Sequence, residues 1–178
     1  MNPIIFQIIV QSIGAIGITA SVISFQCATH KNMLVFKSLN EFLFAVQYLL
    51  LGAYTGFLLN IAGCVRNIIF TKNVEKKKSN IPWQVFFSAL FLIFMVFTWA
   101  GFKSALSGIA KVLSTVAYGC SKTSIVRMIV FVTTISWFIY NLLVGSIAGC
   151  LCELFTLSSI IVGFIRIDLP LLLKKAER

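Results

Sequence analysis

Residues 47–56 read QYLLLGAYTG, and residues 140–149 read YNLLVGSIAG. In each stretch one apolar run ends, a glycine follows, and a second apolar run begins within a few residues. Both glycines coincide, as do two leucines, at an offset of 140 − 47 = 93 positions. A connection this short makes its flanking helices antiparallel neighbours, and glycine can adopt the left-handed backbone that such a turn requires. The pairs Gly52/Gly56 and Gly145/Gly149 also fit the small-xxx-small spacing through which membrane helices approach closely. Their position at helix ends favours the turn role.

Working outward from these turns, seven stretches have the length and apolarity of a spanning helix, which needs about 20 mostly apolar residues. They are Ile4–Gln26, Leu34–Leu51, Tyr54–Lys72, Pro82–Phe102, Ala105–Gly119, Ile125–Val144 and Ile147–Arg166, with an amphipathic or frayed tail from Ile167 to Arg178. Pro82 suits a first helical turn, where its missing N–H costs nothing. The composition agrees: 59% of residues are hydrophobic, 11% are charged and the mean hydropathy is +0.98. A soluble domain carries about a quarter charged residues, so this chain lacks the polar surface to coat a globule and its solvent is expected to be lipid. No basic residue precedes the first run and no small-residue cleavage site follows it, so it reads as a retained helix rather than a signal peptide.

The net charge of +10 does not indicate nucleic acid, because the cations sit in short segments between apolar runs. Positive residues favour the cytoplasmic side. With the N terminus outside, the inner side holds 13 of the 15 lysines and arginines, and Lys103 and Lys111 fall on the outer side. An odd number of helices then puts the C terminus in the cytoplasm. The run from Lys72 to Lys78, with Glu75 inside it, is the main cytoplasmic loop. It serves as a topology signal or attracts anionic lipid, at up to about 1 kcal/mol per cation.

The five cysteines (Cys27, Cys64, Cys120, Cys150 and Cys152) have no metal-ligand spacing with histidine, and Cys150-Leu-Cys152 is too tight for a zinc pair. They read as small apolar residues. His30, the only histidine, falls in a predicted loop as a solvated turn residue. There is no HExxH pattern, and the only aspartate, Asp168, is expected past the last helix. Intramembrane hydrolysis needs a base or a metal, so the chain reads as no enzyme and as carrying no cofactor.

The repeat extends beyond the turns. Gly14–Cys27, GAIGITASVISFQC, aligns with Ser107–Cys120, SGIAKVLSTVAYGC, at the same offset, matching Ser21 to Ser114, Phe25 to Tyr118 and Cys27 to Cys120. Three helices cannot return the chain to its starting side, so two such units joined directly would be inverted. The fourth helix adds one crossing and leaves them parallel. The expected fold is therefore an all-α membrane protein of two parallel three-helix repeats joined by a linker helix. Residues 1–73 form the first repeat, 74–103 the basic loop and linker helix, 104–167 the second repeat and 168–178 a cytoplasmic tail. Parallel repeats are a transporter architecture, with substrate bound near the midplane between them.

This three-plus-one-plus-three plan, with the N terminus outside, resembles the SWEET and PQ-loop superfamily. Phe25-Gln26 and Tyr118-Gly119 stand near where that superfamily has its Pro-Gln pair. The segment Ser136–Glu153, SWFIYNLLVGSIAGCLCE, followed by Ile165-Arg166, looks more specifically like the YgjV-like bacterial inner-membrane proteins, which carry a similar Trp, an Asn, a Gly-Ser-Ile-x-Gly turn and a following Glu. That resemblance implies a multi-pass protein of the bacterial inner membrane. The PnuC-type vitamin transporters are a more distant likeness, in helix plan and in Trp/Asn-rich helices, without a motif match.

Charges inside a membrane cost roughly 2.5–3.5 kcal/mol on insertion scales and need partners or water. Glu41 and Arg66 share a depth on adjacent antiparallel helices, as do Lys111 and Glu153 nearer the outer side, so two charge pairs are expected. They read as gates that exchange partners, as static pairs fixing helix register, or, for Glu41 and Lys111, as snorkelling side chains. Candidate substrate-binding residues are Asn60 and Glu153, which align with each other at the offset, with Trp137 and Asn141 and with Gln47 and Tyr48. Tyr140 accompanies them. Flat aromatic faces with a polar edge suit the rings of a sugar or base, although Tyr48 and Tyr140 also fit an interfacial belt, as Trp83 and Trp99 do. The expected function is transport of a small polar solute: a sugar, nucleoside or vitamin-like molecule. The alternative is a non-transporting membrane scaffold or assembly protein, whose polar residues would be fully paired around a dry centre. Expected partners are the lipid bilayer and a small-molecule solute, with a homo-oligomer left open and nucleic acid excluded.

Overall fold

A computed structural model describes residues 3–176. These form seven long helices: α1 (Pro3–Gln26), α2 (His30–Leu50), α3 (Tyr54–Glu75), α4 (Ile81–Phe97), α5 (Phe102–Gly119), α6 (Thr123–Val144) and α7 (Ile147–Gly163). A π-helical turn, Phe164–Asp168, then leads without a break into a short α8, Leu169–Ala176. Four segments are long and apolar enough to cross a membrane: Ile4–Gln26, His30–Leu50, Thr123–Val144 and Ile147–Leu173. α4 is strongly apolar but, at 17 residues, spans only about 26 Å at 1.5 Å per residue. α3 and α5 are less apolar because they carry Asn60, Arg66 and Asn67, and Lys111 with several serines.

Boundaries differ from the sequence expectation where a capping group or a distant contact decides. α2 starts four residues earlier than expected, at His30, because the Thr29 side chain accepts a hydrogen bond from Asn32 N–H at its N-terminus. His30 is consequently no solvated turn residue. It is buried, and its Nε2 lies 2.9 Å from the Tyr118 carbonyl oxygen. The chain from Ile167 onward is not a frayed tail, since the helix continues through it to Ala176, with residues 177 and 178 outside the described part. Asp168 does not lie past the last helix. It sits 1% exposed in the π-helical turn, where both its oxygens receive Arg127 Nη1 at 2.9 and 3.0 Å and Ser124 Oγ donates at 2.8 Å. The same guanidinium donates to the carbonyls of Phe25 (3.2 Å) and Cys27 (2.8 Å). Those carbonyls end α1 and have no partner of their own within a helix.

Gly52 and Gly145 both have φ +70° with open space around them, so they supply the left-handed turns after α2 and α6. Gly56 and Gly149 have a separate role. A Cβ at Gly56 would stand 2.9 Å from the Tyr48 ring, and one at Gly149 would overlap Asn141 Oδ1.

Helix neighbours define a ring: α1 packs on α2, α2 on α3, α3 on α5, α5 on α6, α6 on α7, and α7 back on α1. α4 lies outside it against α5 and α3. The polarity is that of a membrane protein. Val85, Phe86, Ile93 and Val96 of α4 and Ile8, Ile16 and Ile23 of α1 face outward, whereas Arg66, Arg127, Asn67 and Gln47 are fully enclosed. One end of the ring gathers the lysine-rich connections, where Lys31 pairs with Glu75 at 2.5 Å. The opposite end carries the α2–α3, α4–α5 and α6–α7 turns.

Candidate functional site

α2, α3, α5, α6 and α7 together line a cavity of about 40 Å³ in the middle of the ring. A buried water needs about 10–15 Å³ on this measure, so the space holds a few waters in this conformation. On the α2 side it is lined by Lys37, Asn40, Glu41, Phe44 and Tyr48, and on the α6 side by Val130, Thr133, Thr134 and Trp137. Asn60 of α3 and Cys152 and Glu153 of α7 close it laterally, and Lys111, Ser114 and Tyr118 of α5 complete the wall.

Charge is concentrated here. Glu41 Oε1 receives Arg66 Nη2 at 3.0 Å and Lys111 Nζ at 3.1 Å, with all three side chains at most 3% exposed. Arg66 also donates through Nη1 to Thr115 Oγ1 at 2.8 Å and through Nε and Nη2 to Asn67 Oδ1 at 3.1 and 2.9 Å. Its guanidinium stacks over the Tyr118 ring, 4.9 Å from the centroid. Lys111 has a second acceptor in Asn60 Oδ1 at 3.2 Å and lies 5.4 Å from the centre of the Trp137 ring. Snorkelling therefore does not describe Glu41 or Lys111, since both side chains turn inward and are bonded there.

The pairing differs from expectation at Lys111. Its ion partner is Glu41, not Glu153, because Gly63 leaves α3 bare where Glu41 reaches across. Any side chain at Gly63 would overlap Glu41 Oε2 and would stand 2.9 Å from Lys111 Nζ. Glu153 is half-buried against the cavity and, among the described residues, makes no hydrogen bond or ion pair. Lys37 and Lys111 are the cations whose charge reaches it across the space. Lys37 itself donates to Asn40 Oδ1 at 2.9 Å and lies over the Phe25 ring.

Toward the opposite end the cavity is shut by an aromatic plug. Tyr48 and Tyr140 meet edge to face at 6.1 Å, Trp137 and Tyr140 at 5.3 Å, and the Tyr48 hydroxyl donates to Asn141 Oδ1 at 2.7 Å. Both tyrosines are 2% exposed, so neither belongs to a lipid-interface belt. Beyond the plug lies a vestibule of about 440 Å³, lined by Tyr54 and Thr55 of α3, Lys103 and Ser104 of α5, and Tyr140 and Val144 of α6.

Of the residues singled out from sequence, Asn60, Trp137, Glu153, Tyr48, Glu41 and Lys111 line the cavity. Arg66 sits just behind Glu41, and Asn141 forms part of the plug. Gln47 stands apart. It is fully buried beside Gly14, and among the described residues neither amide atom has a hydrogen-bond partner. Sequence reasoning passed over Lys37, Asn40, Phe44, Thr133 and Thr134. The signal that finds them is the offset of 93. Lys37 aligns with Val130, Asn40 with Thr133, Glu41 with Thr134, Phe44 with Trp137 and Asn60 with Glu153, and every member of these pairs lines the same cavity.

In comparison with known proteins, the model of the family Imp-YgjV, described as bacterial inner membrane protein, matches residues 8–169. No curated protein and no solved structure matches the chain.

Proposed function

We propose that this chain, which belongs to the Imp-YgjV family of bacterial inner membrane proteins, carries a small polar solute such as a sugar, nucleoside or vitamin-like molecule. The mechanism is alternating access between two parallel three-helix repeats, α1–α3 and α5–α7, with α4 as the linker and the lysine-rich end in the cytoplasm. This is the plan of the SWEET and PQ-loop carriers, and the likeness is part of the proposal. The observation that carries the reading is the cavity wall: five pairs of positions 93 apart face one space. Equivalent positions of two repeats converge only at the interface between them, which is where a rocking carrier binds its substrate.

On this reading the structure is the closed form. The plug of Tyr48, Tyr140 and Asn141 separates the vestibule from the binding cavity, and opening it would merge the two spaces. Asn60, Glu153 and the Trp137 face contact the solute. Glu41, holding Arg66 and Lys111 at once, is the group whose partners exchange as the repeats rock. The test is thermal unfolding of the purified protein against a panel of sugars, nucleosides and vitamins. A ligand bound by the native state alone raises the melting temperature by mass action. The proposal expects one chemical class to do so, with the shift lost in Asn60→Leu and Trp137→Ala. No shift across the panel at millimolar concentration counts against it.

One observation favours the alternative, a scaffold or assembly protein of the inner membrane. At about 40 Å³ the cavity is water-sized, and Glu41, Arg66 and Lys111 are tied to one another. A scaffold expects the polar centre to stay closed and its variants to change stability alone.

A further inference from the structure

Resting on the carrier reading, we infer that the solute is a small organic anion, bound by its carboxylate or phosphate between Lys37 and Lys111. The argument is charge balance. Among the described residues, three cations (Lys37, Arg66 and Lys111) and two carboxylates (Glu41 and Glu153) gather at the central cavity. With both carboxylates ionised the surplus is 3 − 2 = +1. Arg127 and Asp168 are engaged with each other and do not alter that balance. An uncompensated charge in a low-dielectric interior is costly, and a ligand bearing one negative charge removes the cost.

The free hydrogen-bonding capacity points the same way. An ammonium has three donors. Lys37 spends one on Asn40, and Lys111 spends two on Glu41 and Asn60. The unspent donors flank the cavity and suit the oxygens of an anionic group. Among the described residues, Glu41 Oε2 has no hydrogen-bond partner. That oxygen suits a hydroxyl or ring N–H elsewhere on the same molecule. A ring-bearing or hydroxylated acid satisfies both sets, with its flat face against Trp137.

The groups that face Glu153 across the cavity are Lys37, Glu41 and Tyr48 of α2 and Lys111 and Tyr118 of α5, with Cys152 beside it on α7. Removing the Glu153 charge therefore raises the surplus, and removing the Lys37 charge abolishes it. The two substitutions act in opposite directions on an anion, which a structural role would not produce.

The experiment is thermal unfolding and calorimetric titration of the full-length protein with matched pairs: gluconate and glucose, ribose 5-phosphate and ribose, orotate and uracil. The expected result is stabilisation by an acid and not by its neutral partner, with binding weakened about tenfold or more, equivalent to about 1.4 kcal/mol, in Lys37→Gln and tightened in Glu153→Gln. Should Lys37→Gln fail to fold, Glu153→Gln alone decides through its sign. Stabilisation by the neutral members, or equally by both members of a pair, overturns the anion inference and leaves the carrier reading standing. Binding of an acid that Glu153→Gln weakens overturns it likewise. No stabilisation by any member counts against both readings.

Discussion

The Tyr48 hydroxyl donates to Asn141 Oδ1 at 2.7 Å, and the two residues are 93 positions apart, the offset at which the sequence stretches 47–56 and 140–149 align. In the proposed two-repeat arrangement, equivalent positions would touch only at its axis, and this bond would mark where that axis passes. Among the described residues Asn141 Nδ2 has no hydrogen-bond partner, which leaves the amide dependent on this one bond. Tyr48→Phe strands a buried acceptor, at a cost of about 1–3 kcal/mol. The measurement is the melting temperature in detergent, which should fall in Tyr48→Phe and recover in part when Asn141→Leu removes the stranded group. An unchanged melting temperature in Tyr48→Phe would assign the bond no weight.

Glu41 and Glu153 share a cavity yet should differ sharply in what they contribute to stability. Glu41 neutralises two enclosed cations at 3.0 and 3.1 Å, whereas Glu153 pairs with none among the described residues. Removing one partner of a buried ion pair costs about 3–5 kcal/mol. Glu41→Gln should therefore lower stability by about that amount, and Glu153→Gln by much less. Comparable losses in the two variants would mean that the Glu41 cluster does not hold α2, α3 and α5 together as described.

Two glycines, Gly52 just before α3 and Gly63 within it, offer a contrast between backbone and space. Gly52 has φ +70° and open surroundings, so Gly52→Ala is a strain problem costing about 1 kcal/mol. Gly63 is an ordinary helical residue, but a methyl there would overlap the Glu41 carboxylate. Gly63→Ala should thus cost about 3 kcal/mol or more, as overpacking at a charged contact, and should weaken the Glu41–Lys111 pair. Melting temperatures of the two variants, with Glu41→Gln added to each, test this. The added substitution should change little more in Gly63→Ala, and should act in full in Gly52→Ala.

The end of the chain is expected to be indispensable. Asp168 neutralises Arg127, and Arg127 in turn caps the carbonyls of Phe25 and Cys27. Asp168→Asn should destabilise by about 3–5 kcal/mol, and truncation after Gly163 by more. A truncated protein as stable as the full chain would show that the π-helical turn is an ornament.

The proposed orientation makes a simple labelling prediction. A cysteine in place of Lys103 should react with an impermeant maleimide in intact spheroplasts, and one in place of Lys77 only after lysis. The reverse pattern would invert the protein in the membrane and exchange the roles of vestibule and lysine-rich end.

The seven helices were legible as runs punctuated by glycines, although among the described residues only four segments are long and apolar enough to cross a membrane. The turns at Gly52 and Gly145 fell where the sequence placed them. Partnering was less legible. Depth along the helix axis put Glu41 beside Arg66, but it could not reveal that Lys111 also turns to Glu41, since that depends on the bare surface at Gly63 of a third helix. Asp168 was misread because a π-helical turn has no composition of its own. It is set by the need to bring a carboxylate round to Arg127, a contact spanning 41 positions. His30 was misread for a similar reason: the Tyr118 carbonyl that engages it is 88 positions away. Lys37, Asn40 and Thr133 were within reach of the sequence, because the repeat offset that located Asn60 and Glu153 runs through them as well.

The ring closes between its first and last members. Ser21 of α1 finds Thr156 across 135 positions, and Gln26 finds Ser159 across 133. On a ribosome adding about 5–20 residues per second, α1 enters the membrane on the order of ten seconds before the helix that will satisfy it. In that interval Ser21 and Gln26 face lipid or the insertion machinery, and Glu41 and Arg66 have each other but not yet Lys111. Assembly of this protein is therefore paced by translation. A slowed codon or an absent insertase acts on the incomplete ring, before the central cavity exists.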